Sequence, residues 1–135
     1  MNRLLIMCFV VITFVGCEKS NELDDTSGSN KSNIPQVTAV RLIPNAGPAR
    51  IELRWTNPSF EEFETVAVRR SDDSYPEDPS SGKEIYNGSE TTHLDQDDVV
   101  EGTTYYYSFF TIISSGEHSE PVERQTTVSS GSGRR

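Results

Sequence analysis

Apolar and polar positions divide the chain into four stretches. Residues 4–15 form an almost unbroken apolar run, headed by Arg3 and closed by Gly16 and Cys17. Residues 18–33 (EKSNELDDTSGSNKSN) hold one Leu, no aromatic residue and many Ser, Asn and acidic side chains. Such a stretch cannot bury enough apolar surface to fold, and it reads as a flexible tether. From residue 34 to 128, short β-branched and aromatic runs alternate with turn clusters such as Asn45-Ala46-Gly47-Pro48, Asn57-Pro58-Ser59, Asn87-Gly88 and Ser114-Ser115-Gly116. No segment there holds a helical period, and short strands between regular turns predict a β-sandwich or barrel. Residues 129–135 (SSGSGRR) read as a frayed tail.

Seven strands are expected. The first covers residues 37–40, behind Pro35. In 51–55 the alternation is clean: Ile51, Leu53 and Trp55 face inward, Glu52 and Arg54 outward. Residues 65–70 repeat it with Val66 and Val68 inward. Residues 84–86 make a short strand near an edge, and 92–94 lead into an acidic turn. The longest strand is 103–113, with Tyr105, Tyr107 and Phe109 on one face, and 121–128 is the last. About ninety residues suffice for one modest core and one domain. Leu53, Trp55, Val66, Val68, Tyr105, Tyr107 and Phe109 are assigned to that core.

A basic head, a short apolar run and a small residue before a cysteine form a pattern that resembles a bacterial lipoprotein signal peptide over residues 1–16. The apolar run is shorter than the roughly 20 residues a spanning helix needs. The resemblance implies cleavage after Gly16 and lipid on Cys17. Phe14 stands where that family most often has Leu. The alternatives are an ordinary cleaved signal or an uncleaved helical anchor. Cys8 would leave with the signal, and Cys17 would be blocked by lipid, so the mature fold would have no disulfide. Residues 17–33 would then tether the domain to the membrane. The implied location is the cell envelope, at the outer membrane or cell surface.

The region 34–128 resembles a fibronectin type III domain. Pro35 and Val40 match the first strand, Leu53-Arg54-Trp55 the second-strand Leu-x-Trp, and Val99-Val100-Glu101-Gly102-Thr103-Thr104-Tyr105 the turn before the penultimate strand. Ser119-Glu120-Pro121 matches the residues before the last strand. The resemblance implies an all-β, immunoglobulin-like sandwich of about seven strands. It also implies a tyrosine corner at Tyr105, whose hydroxyl bonds back to upstream backbone. The segment 75–88 is similar to a subset of these domains found in bacterial extracellular proteins.

Fold alone does not fix function. His93 and His118 are not spaced as a metal pair, and no phosphate loop, Gly-x-Ser-x-Gly or His-Glu-x-x-His is present. No catalytic residue, metal or cofactor is expected. Asp95, Asp97 and Asp98 read as a solvated acidic turn, with a calcium-binding loop as the alternative. Between residues 34 and 121 six basic residues stand against sixteen acidic ones, within a chain of net charge −9. That balance repels nucleic acid. Partners are expected to be the membrane, through the lipid, and a protein, a neutral glycan or a basic surface. Candidate contact residues are Phe60 and Phe63, one of them capping the core, with Tyr75 and Tyr86. Tyr106 and Phe110 would line an outer sheet face, either as an exposed stripe or beneath the 72–81 loop. The expected function is adhesion or binding without catalysis. The alternative is an accessory subunit of a polysaccharide-processing or envelope transport complex.

Overall fold

A computed structural model describes residues 33–129. Cys17, Gly16, the tether at residues 17–32 and the stretch 130–135 lie outside the described residues. The structure is all-β, with seven strands: β1 (Thr38–Ala46), β2 (Ala49–Thr56), β3 (Phe63–Ser71), β4 (Lys83–Gly88), β5 (Thr92–Asp95), β6 (Thr104–Ile113) and β7 (Val122–Thr127). They form two antiparallel sheets, ordered β1-β2-β5 and β4-β3-β6-β7.

Alternation decides what each strand buries. Ile51, Leu53 and Trp55 project from one sheet, and Val66, Val68, Tyr105, Tyr107 and Phe109 from the other, into one core. Trp55 sits 5.6 Å from Phe109 and 5.3 Å from Tyr86, ring to ring, so it joins the two sheets at the middle. Its indole N–H donates to Asn57 Oδ1 at 2.8 Å, and Asn57 in turn donates to the Ser89 carbonyl. The seven side chains assigned to the core from alternation and resemblance are all buried.

The first strand is longer than expected. Its ladder with β2 runs from Arg41 to Ala46, beyond the 37–40 stretch, and the register shifts between Thr38 and Arg41. Ala39, at φ 50°, sits in that irregularity. Pro44 and Asn45 disguise the strand in sequence. A proline is tolerated there because β1 is an edge strand whose other side needs no donor. Before the shift, Gln36 Nε2 donates to the Glu120 and Pro121 carbonyls, so the entering chain lies beside the start of β7.

Strand directions give the sandwich two poles. Residues 33–35 meet Phe60, Glu62, Ile113 and Glu117 at the entry pole. The β1–β2 turn, the 72–82 loop and the 96–103 turn lie at the other. There the Tyr105 hydroxyl donates to the Asp98 carbonyl at 3.1 Å and accepts from the Val100 N–H at 2.9 Å. Gly102 takes φ +82° in the same turn, and its N–H donates to Val128 O. One phenol thus ties the 96–103 turn to β6, which is the corner expected for Tyr105.

Removing that hydroxyl strands a part-buried N–H and a carbonyl. Tyr105→Phe is expected to cost about 1–3 kcal/mol of unfolding free energy. Urea unfolding followed by Trp55 fluorescence measures it, and an unchanged midpoint would show that the turn holds without the corner.

Candidate functional site

The acidic turn is not wholly solvated. Asp95 is buried, and this corrects the expectation. β5 runs one residue past Leu94, and Asp95 pairs with Ile51, whose side chain faces the core. Along the strand Thr92 and Leu94 are exposed while Asp95 is buried. Arg70, the position after Val66 and Val68 in the same parity of β3, is buried too, at 6% exposure. Its Nη1 reaches Asp95 Oδ1 at 2.9 Å and Oδ2 at 2.7 Å, and the Asp97 carbonyl at 3.1 Å. The Tyr107 hydroxyl donates to Asp95 Oδ2 at 2.7 Å. The Arg70 guanidinium carbon lies 4.7 Å from the Tyr105 ring centroid, in cation–π range. Burial opposes the charge on Arg70, but the hydrogen bond and charge of Asp95 outweigh it and raise its pKa. Burial, followed by the bond to the Asp95 carboxylate, pushes the Tyr107 phenol far up from 10.0. Arg70 and Tyr107, from one sheet, thus both bond Asp95 of the other.

Phe60 and Phe63 are both half-buried, 6.3 Å apart, rather than one capping and one exposed. Phe63 packs on the core, and Phe60 lines a shallow groove of about 300 Å³ with Ile34 and Ile113. Tyr86 closes the gap between the edge strands β4 and β5. Its ring lies 5.3 Å from both Trp55 and His93, and its hydroxyl accepts from Glu90 N–H at 2.7 Å.

Of the two outcomes open for the outer face of the four-stranded sheet, the covered one holds. Tyr75, from the 72–82 loop, meets Tyr106 edge-on at 5.1 Å, and its hydroxyl donates to Gln125 at 3.2 Å. The loop is stiffened by Asp78, which accepts from both the hydroxyl and the N–H of Ser80. Those bonds hold its carboxyl down at about 2. The loop returns through Gly82, at φ +67°, where a Cβ would lie 2.7 Å from the Arg70 carbonyl. Phe110 is fully buried and offers no contact surface, which corrects its place among the candidates. The chain doubles back after β6: Ile112 bridges to His118, the His118 ring stands perpendicular to Phe110 at 5.5 Å, and Ser119 Oγ accepts from Thr111 N–H.

The outer face of the three-stranded sheet stays open. Cross-strand rows there read Arg41–Arg54–Thr92, Ile43–Glu52–Leu94 and Asn45–Arg50. Ile43 is 43% exposed and Leu94 42%, two of the three exposed large apolar side chains among the described residues. An open groove of about 550 Å³ runs over Ile43, Arg50, Glu52, Glu90, His93 and Leu94. Glu52 and Arg54 are outward, as alternation predicts, while a first strand expected over 37–40 leaves out Arg41 and Ile43, which lie beside them. A second groove, of about 470 Å³, lies at the far pole between Arg70, Lys83, Asp98 and Val100. There the Lys83 ammonium meets Asp98 at 2.9 Å and, by hydrogen bonding, lowers its pKa.

Cutting the buried bridge on one side leaves an uncompensated charge. Asp95→Ala is expected to cost about 3–5 kcal/mol, whereas replacing the whole unit (Arg70→Met, Asp95→Leu, Tyr107→Phe) restores most of that stability. Equal loss in both variants would refute the ion-pair account. Because the folded Tyr107 pKa lies above its unfolded value, its contribution is complete below pH 10.0 and fades as pH rises above that. In a phenolate absorbance titration, wild type and Tyr107→Phe are expected to release equal numbers of protons until alkaline unfolding. One extra proton from the wild type before that point would show Tyr107 to be unbonded.

Comparison of the sequence with known protein families and with curated proteins finds no match.

Proposed function

We propose that this chain is a non-catalytic, lipid-anchored protein of the bacterial cell envelope that displays one fibronectin type III-like module for binding. One observation carries the reading. The titratable and aromatic side chains that suggest chemistry are consumed within the fold, while one sheet face is left open. Asp95 and Arg70 bind each other, His93 packs on Tyr86, and His118 packs on Phe110 while its ring nitrogen meets the Ser119 carbonyl. Tyr75 and Tyr106 cover one another.

Support for the fibronectin type III assignment comes from the split of three strands against four, the Trp55 core position and the Tyr105 corner. The anchor reading draws on Cys17 and the apolar run before it, which lie outside the described residues. Residues 33–35 lie at the Phe60 pole, and the 72–82 and 96–103 loops lie at the opposite one. Weak contacts made by many copies on one membrane add through avidity.

Protease added to intact cells is expected to digest the wild-type protein, and Cys17→Ala is expected to appear in soluble fractions. Retention of Cys17→Ala on the membrane at unchanged size would overturn the anchor. Full protection of a membrane-bound wild type would place the module inside the envelope and favour an accessory subunit.

A further inference from the structure

We infer that the outer face of the β1-β2-β5 sheet is a docking surface for an acidic polypeptide that carries apolar side chains among its carboxylates. The inference names the partner class for the module proposed above and rests on that reading. The argument starts from charge. The chain is strongly acidic overall, yet this face presents three guanidiniums, Arg41, Arg50 and Arg54, against two carboxylates, Glu52 on β2 and Glu90 at the groove's rim before β5. Glu52 is already taken by Arg54 at 2.6 Å. Arg41 and Arg50 have no ion pair among the described residues, whereas Arg69, Arg70 and Lys83, in the other sheet, are each paired. Arg124, on β7, also lacks an ion pair among the described residues, and its Nη1 donates to the Glu123 carbonyl. Arg41 and Arg50, the unpaired guanidiniums of the three-stranded sheet, share one open face.

Spacing fits an extended chain. Arg41, on β1, sits beside Arg54, so it stands four residues of strand rise and one strand spacing from Arg50, about 14 Å, and both unpaired guanidiniums lie on the outer side. A partner strand presents its own alternate side chains at the same rise, so carboxylates four residues apart can meet both. Arginine suits this role, since its planar fork takes a carboxylate through two hydrogen bonds.

The apolar residues decide between partner classes. Ile43 and Leu94 flank Glu52 in one cross-strand row, both exposed, along the groove of about 550 Å³. An acidic polysaccharide would satisfy the arginines but bring no apolar side chain to cover these two. Nor does this face carry an aromatic platform for a sugar ring, because Trp55, Tyr86 and Tyr105 are spent in the core. A polypeptide alternating acidic and apolar residues answers both features.

The test uses the full-length chain in non-ionic detergent and three fluorescein-labelled probes: an alternating Glu-Leu peptide, polyglutamate and polygalacturonate. Anisotropy is expected to show the Glu-Leu peptide binding most tightly, and less tightly as salt rises. Arg41→Glu with Arg50→Glu is expected to weaken it at least about tenfold, as is Ile43→Ser with Leu94→Ser. Glu123→Lys on β7 serves as a control and should leave binding unchanged. Thermal unfolding at the wild-type midpoint certifies each variant as folded. Undiminished binding by the charge-reversed variant, no binding of the Glu-Leu peptide, or tighter binding of polygalacturonate would each overturn the inference. The assay does not involve the anchor. Failure here leaves membrane display standing, and failure of the protease experiment leaves this surface standing.

Discussion

The Arg70–Asp95 pair, with Tyr107 beneath it, is the interaction on which the far pole depends. Arg70 and Tyr107 belong to the four-stranded sheet and Asp95 to the three-stranded one. Hydrophobic contact between sheets is non-directional, and it would tolerate sliding of one over the other. A short, doubly bonded ion pair does not. It fixes β5 against β3 and β6, and the Asp97 carbonyl it also engages begins the turn that Tyr105 closes. Two buried charges cost desolvation energy on their own. What they supply here is a defined relative placement of the sheets, on which the rows of the open face depend.

Much of the core was legible because period-two alternation is a local signal. Ile51, Leu53, Trp55, Val66 and Val68 could be assigned inward from their neighbours alone, and all are buried. The same rule, carried one residue further on two strands, would have put Arg70 and Asp95 inside, as opposite charges at the ends of β3 and β5. They were missed because a charged side chain near a turn is ordinarily solvated, and only the fold brings the two together. Phe110 was misread for the opposite reason. Its parity does point away from the core, but the chain that follows turns back over it, a long-range fact that no strand pattern carries. Arg41 and Ile43 were hidden by Pro44 and Asn45, which look like a turn and prove to lie within an edge strand.

The two sheets therefore divide labour. The four-stranded sheet is covered outside as well as inside: Ala67, Ser108 and Phe110 are buried on its outer side beside the Tyr75–Tyr106 pair. The three-stranded sheet keeps its outer side bare and carries Arg41 and Arg50 there without an ion pair. Edge strands invite unwanted pairing, and each exposed edge here is short or irregular. β5 has four residues, β4 and β7 have six each, and β1 is disrupted between Thr38 and Arg41.

The course of β1 has a mechanical consequence. The strand starts at the entry pole, and from Arg41 to Ala46 it is held to β2 by an antiparallel ladder. A pull on the chain ahead of residue 33, resisted by something gripping β2 and β5, acts along the strand axis. The hydrogen bonds of that ladder are then loaded in shear and share the force, instead of being peeled open one at a time. Gln36, bonded to Glu120 and Pro121, takes up the load first and spreads part of it to the opposite sheet.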